Sequence, residues 1–170
     1  MTYQRLSRLS DERGLTLAEI IVALGVLGLG LVGLAVVIPV SSYGVQEGNQ
    51  LSTAAFLAEQ MIERTRAVAW TATPATDCLG VSAGDTAPVP TGATCGGATT
   101  TQFADEASVN GYPAYRRVVR VASCNVTACA GVTSATLRQV SVTVTYRGLS
   151  AAGQAASDKA VAIEWLVAQK

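Results

Sequence analysis

Gly14-Leu15-Thr16-Leu17-Ala18-Glu19 leads directly into Ile20 to Val40, a run of 21 residues without a charged side chain. At about 1.5 Å per residue the run spans roughly 31 Å as a helix, enough for a bilayer core. A charge deep in a bilayer costs about 2.5–3.5 kcal/mol on insertion scales. Glu19 therefore stands at the edge of a membrane-length segment, either tolerated there or placed for a task. Arg5, Arg8 and Arg13 precede the run, and the next Lys or Arg is Arg64. This asymmetry orients the N-terminus to the cytoplasm and the bulk of the chain outward. A secretory signal would have an apolar core of about 7–15 residues followed by a small-residue cleavage site. This run is longer and reaches Pro39 with no Ala-x-Ala site nearby. A plain anchor fits the length but leaves Gly14 before Leu-Thr-Leu-x-Glu unexplained.

Gly14 followed by Leu15-Thr16-Leu17-Ala18-Glu19 and Ile20-Ile21-Val22-Ala23-Leu24 resembles the N-terminus of a type IV prepilin. The resemblance implies cleavage after Gly14 by a prepilin peptidase, N-methylation of Leu15 as the new first residue, and an assembly role for Glu19. Leu15 stands where Phe is usual in the family, and Ala18 where a larger aliphatic residue is common. The continuation from Val22 to Ala35, and Leu57-Ala58-Glu59-Gln60-Met61-Ile62-Glu63-Arg64, resemble V-type minor pilins and I-type minor pseudopilins. The likeness covers about the first third of the chain.

What the resemblance implies for the fold is α+β: a pilin fold with a long N-terminal helix, its apolar half membrane-spanning, packed against an antiparallel sheet of three to four strands. The expected divisions are a leader at 1–14, a transmembrane or filament-core helix at 15–40, the amphipathic half of that helix at 41–70, and an exported β domain at 71–170. A long loop at 71–111 opens that domain. The implied partners are other pilins through the helix, the prepilin peptidase and methylase, and an inner-membrane assembly platform, with no cofactor. The implied location is the inner membrane before assembly, then a pilus or a periplasmic pseudopilus.

The residues carry their own reading of the elements. The helix from Leu15 to about Val37 is apolar all round, as a membrane or filament-core helix must be. Gly25, Gly28, Gly30 and Gly33 fall on no single face and read as permitting close backbone approach. Pro39 removes a helical hydrogen bond, which predicts a kink or a melted segment before Ser41-Ser42-Tyr43-Gly44. From Gln46 to Val68, Leu51, Ala54, Ala55, Ala58, Met61, Ile62, Thr65 and Val68 recur at helical spacing and predict a buried stripe. Gln50, Thr53, Gln60, Glu63 and Arg64 take the other side, with Glu63 and Arg66 able to pair. Phe56 falls off the stripe, at the domain edge or toward a neighbour.

Pro74, Pro88, Pro90, Gly92, Gly96 and Gly97 mark residues 71–111 as irregular. Strand patterns follow. Tyr115 to Ala122 sets Arg116 and Arg120 opposite Tyr115, Val119 and Val121. Val140, Val142, Val144 and Tyr146 alternate with Ser141, Thr143, Thr145 and Arg147. Val161, Ile163, Trp165 and Val167 share one face of a third run. Together they predict an antiparallel meander with one buried face. The four cysteines, in an exported domain, predict two disulfides. Of three connectivities, local pairing of Cys78 with Cys95 and Cys124 with Cys129 closes the shortest loops.

Composition narrows the chemistry. The 170 residues hold 12 basic and 12 acidic side chains, so no net field recruits nucleic acid. There is no His, which removes the commonest general base and metal ligand. No activated nucleophile is legible, and an enzyme is not expected. Asp77, Asp85, Asp105 and Glu106 lack the spacing of a calcium loop and read as solvated acids. The cysteine spacing without His is a poor zinc pattern. Asn125-Val126-Thr127 is a glycosylation sequon. Arg116, Arg117 and Arg120 beside Tyr112 and Tyr115 could touch a nucleic-acid backbone, though three strand arginines more often form a solvated face. The expected function is that of a minor pilin in a type IV pilus. The alternatives are a minor pseudopilin of a type II secretion or DNA-uptake system, and a membrane-anchored extracellular binding domain.

Overall fold

A computed structural model describes residues 16–71, 77–91, 95, 102–148 and 157–169. Among the described residues one helix, α1 (Leu17–Ala67), is followed by three strands, β1 (Tyr115–Ser123), β2 (Leu137–Arg147) and β3 (Asp158–Ala168). The chain is thus α+β, with two compact units: Met1–Ser42, and Tyr43–Lys170. The helix contributes to both.

In the first unit α1 is apolar on every side, and helical backbone continues through residues 39–44. A melted segment, one of the two outcomes expected at Pro39, is therefore absent; the helix continues across the one hydrogen bond that proline cannot make. The second unit buries the remainder of α1 against the sheet. Ala54, Leu57, Ala58, Met61 and Ile62 join Trp70, Leu79, Phe103, Val119, Val121, Val140, Val142, Val144 and Tyr146 in one core. Thr65, also buried, returns its hydroxyl to the Ile62 carbonyl. Leu51 does not belong to the stripe: it is half exposed, because the core begins only at Ala54. Leu57, three residues after Ala54 and four before Met61, joins the stripe as well. Phe56 is exposed.

The sheet is an antiparallel meander in the order β1-β2-β3. Period-two burial is clearest in β2, where Arg138, Val140, Val142, Val144 and Tyr146 point inward. On β3, Val161 and Ile163 pack against the core and Val167 is buried, but Trp165 remains 42% exposed. Its indole lies instead under the Arg66 guanidinium of α1, 3.7 Å from the ring centroid.

The long irregular segment covers one side of this sheet. Glu106 exchanges both backbone hydrogen bonds with Arg117 of β1, and the Ser82 N–H donates to the Val121 carbonyl. The Val121 N–H in turn donates to Ser82 Oγ. The Tyr115 N–H donates to Tyr112, and the Tyr115 carbonyl accepts from Val109. The outer edge of β1 is therefore largely closed, by loop backbone together with the Ser82 side chain. Unpaired strand edges invite association, so this closure has a physical function.

Candidate functional site

The first turn of α1 is built from Thr16 and Glu19. The Glu19 N–H donates to the Thr16 carbonyl at 3.0 Å and to Thr16 Oγ1 at 3.3 Å. Thr16 is thus the N-cap, and its side chain satisfies one of the amides that a helix start leaves without a partner. Thr-x-x-Glu is the spacing of a capping box, a signal that the sequence itself carries. The Glu19 carboxylate also lies in the first turn, where the helix dipole favours a negative charge. Gly14 and Leu15, the expected cleavage and methylation residues, lie outside the described residues.

Beyond Glu19 the helix presents apolar side chains to its surroundings on every face. Ile21, Val22, Leu24, Val26, Leu27, Leu29, Leu31 and Val32 are all exposed. By length and composition this segment could cross a membrane, and none of its most apolar stretch is buried within the chain. A Cβ built on Gly25, Gly28, Gly30 or Gly33 would meet no atom within 4 Å. The glycines therefore serve no close packing among the described residues.

The second unit holds the four cysteines in two bridges. Cys78 is joined to Cys95, with Cα atoms 5.1 Å apart, and Cys124 to Cys129, at 5.3 Å. The first fastens the irregular segment, and the second closes the β1–β2 connection.

All four loop acids are ion-paired, but only Asp77 is withdrawn from water; the side chains of Asp85 and Asp105 remain solvated, as expected, at 96% and 45% exposure. Asp77 receives Arg138 Nη1 and Nη2 at 2.6 Å each, and the Gly80 N–H at 2.9 Å. Burial raises the Asp77 pKa, but these hydrogen bonds outweigh it and hold the carboxyl below its ordinary value. The Arg138 guanidinium also lies 4.2 Å from the Trp70 ring centroid. Arg117 is 3% exposed, bidentate to Glu106, and donates to the Leu57 carbonyl and to Gln60. Arg120 binds Asp85 and Asp105. Its hydrogen bond holds Asp105 below the ordinary carboxylate value, and the two acids raise the Arg120 pKa.

These pairings change the picture of a basic strand face. Arg117 lies inside the second unit and Arg120 is engaged by two carboxylates, so of the three arginines considered for nucleic acid only Arg116 shows no ion pair among the described residues. Sequence reasoning passed over Arg138, whose even number aligned it with Val140 and Val142 on the inward face. Among the described residues no group of three His, Cys, Asp or Glu side chains could hold a metal ion.

Two clefts flank α1 in the second unit. One, of about 410 Å³, is lined by Gln60, Arg64, Glu106, Asn110, Tyr112 and Arg117. The other, of about 330 Å³, lies between α1 and β3 and is lined by Glu59, Ile62, Glu63, Arg66, Ile163 and Trp165. No protein-family model, no curated protein and no solved structure matches the chain.

Proposed function

We propose that the chain is a type IV pilin-like structural subunit, most simply a minor pilin, which enters a filament through α1 and displays its disulfide-bonded β domain outward. The observation that carries this reading is Glu19 in the first helical turn, immediately before an apolar helix whose large side chains are unburied. Such a surface needs lipid or other helices to cover it. A carboxylate at its margin is costly alone and far less so beside a cation. Cleavage after Gly14 would create that cation, the amine of Leu15, on each subunit. Glu19 of one subunit would then meet the amine of its neighbour and draw it into register. The role is mechanical, and no catalysis is assigned to the chain.

Two variants separate this role from simple helix capping. Glu19→Gln keeps a side chain suited to a capping box but removes the charge, whereas Glu19→Ala removes both. The proposal expects both variants to be exported and processed, yet to fall about tenfold or more in sheared filaments relative to membranes, a difference of about 1.4 kcal/mol. If Glu19→Gln incorporates like wild type, capping alone accounts for the residue. Mass spectrometry of the mature N-terminus checks the premise, which requires a methylated Leu15. An intact Met1 start in assembled protein would leave the membrane-anchored binding domain as the better reading.

A further inference from the structure

The two edges of the sheet are treated differently. The Cys124 N–H bond to the Leu137 carbonyl sets the phase of the β1–β2 ladder. Antiparallel bonds alternate along a strand. Tyr115, Arg117, Val119 and Val121 accordingly turn their backbone groups away from β2. Glu106, Ser82, Tyr112, Val109 and the Arg120 side chain, which donates to the Val119 carbonyl, take up most of them.

On the other side, bonds from the Gly148 N–H to Ser157 and from the Gln169 N–H to Thr136 set the phase of the β2–β3 ladder. Lys159, Val161, Ile163, Trp165 and Val167 therefore turn their amides toward β2. Ala160, Ala162, Glu164 and Leu166 turn theirs outward, and among the described residues no backbone group binds them. Ala160 and Ala162 are exposed and small, so nothing on their own side chains shields this edge.

The groove between α1 and β3 runs beside the open edge. A strand added there would set alternate side chains on the helix-facing side, next to Ile163 and Trp165. That side is lined by Ile62, Ile163 and Trp165, with the Arg66 guanidinium over one face of the Trp165 ring, and by Glu59 and Glu63. Glu63 is held by Arg66, but Glu59 has no ion-pair partner among the described residues. We propose that the β3 edge receives an extended segment of another protein as a fourth strand, with an apolar side chain in the groove and a Lys or Arg against Glu59. A second copy of the chain suits the edge less well. The only basic residue that its β3 could turn to this side is Lys159, already paired with Glu47. The proposal is independent of what the apolar half of α1 does.

The test uses the full chain in detergent micelles and a labelled ten-residue peptide of alternating Val and Thr with one groove-facing Lys. A second peptide carries Glu in place of that Lys, and a third has the sequence of residues 158–168. Ala162→Pro removes an outward N–H that the sheet does not use, a position where an edge strand tolerates proline. Wild type should bind the Lys peptide about tenfold or more tightly than the Glu peptide, and Glu59→Arg should reverse that order. Ala162→Pro, checked for native circular dichroism and both disulfides, should bind neither peptide. If Ala162→Pro misfolds, the Glu59→Arg reversal alone decides. Equal affinity for the Lys and Glu peptides, no binding by wild type, or undiminished binding by a folded Ala162→Pro would overturn the proposal. Tightest binding of the 158–168 peptide, with dimerisation of the chain, would overturn it in favour of a second copy.

Discussion

Asp77 and Arg138 place two opposite charges almost wholly out of water, at 4% and 8% exposure. Removing one partner of such a pair leaves the other uncompensated, at about 3–5 kcal/mol. Asp77→Ala should therefore lower stability by about that amount in urea denaturation, and more than Asp85→Ala, whose carboxylate is almost fully exposed. The pH dependence has a definite sign. Because the folded pKa of Asp77 lies below its ordinary value of 3.8, its contribution is complete above that value and is lost as pH falls through the folded pKa. Acid titration of the wild type should show this loss, and Asp77→Asn should flatten it. Gly80 completes the same node: its N–H donates to Asp77 and its carbonyl accepts from Arg138. Its φ is +73°, and an added Cβ would lie 2.5 Å from the Val89 carbonyl carbon and oxygen. Gly80→Ala should cost about 1–3 kcal/mol in backbone strain alone, before the clash, and lower Tm in a thermal melt.

Elements differ in how plainly their residues announce them. β2 was legible because one face is buried, and burial forces strict alternation from Val140 to Tyr146. The stripe on α1 was legible in period but not in extent: Leu51 has the right spacing, yet the covering layer begins at Ala54. Arg117 and Arg138 were illegible as buried residues because their partners, Glu106 and Asp77, arrive on irregular chain whose path no local pattern encodes. At the candidate site Gly14 and Leu15 lie outside the described residues, while the Thr16 cap is encoded locally, three residues before Glu19. The cysteine connectivity follows from local closure, and it makes a prediction about relative strength. The Cys78–Cys95 bridge spans 17 residues and Cys124–Cys129 only 5. Loop-closure entropy makes the longer bridge worth about 1 kcal/mol more, within the usual 2–4 kcal/mol per disulfide. Replacing both cysteines of the first pair by Ala should lower the urea midpoint more than replacing both of the second. It should also speed hydrogen exchange at the Ser82 and Val121 amides, which join that segment to β1.

At the scale of the whole molecule, the described residues fall into an exposed apolar helix and a packed, disulfide-bonded unit. Residues 20–38 expose every large apolar side chain, a surface that water does not tolerate on a free monomer. The core that organises the β domain begins at Ala54, and all of its members lie in the second compact unit. Both disulfides, the Asp77–Arg138 pair and the Arg117 cluster lie there too. Among the described residues, no member of that core, neither disulfide and neither of these ion-pair clusters includes a residue of 17–42. A fragment of residues 43–170 should fold in water, form both disulfides and keep a cooperative thermal transition. The full chain should need detergent or membrane to stay dispersed. Such small domains carry only about 5–15 kcal/mol of net stability, so even modest support from the missing half-helix would show. The measurement is the urea midpoint of the fragment against that of the full chain in micelles. Close agreement, with native-like exchange protection at the Leu57 and Met61 amides, would establish that α1 serves two independent tasks. A fragment that melts without cooperativity would mean that the apolar half of the helix is needed to hold the other half against the sheet.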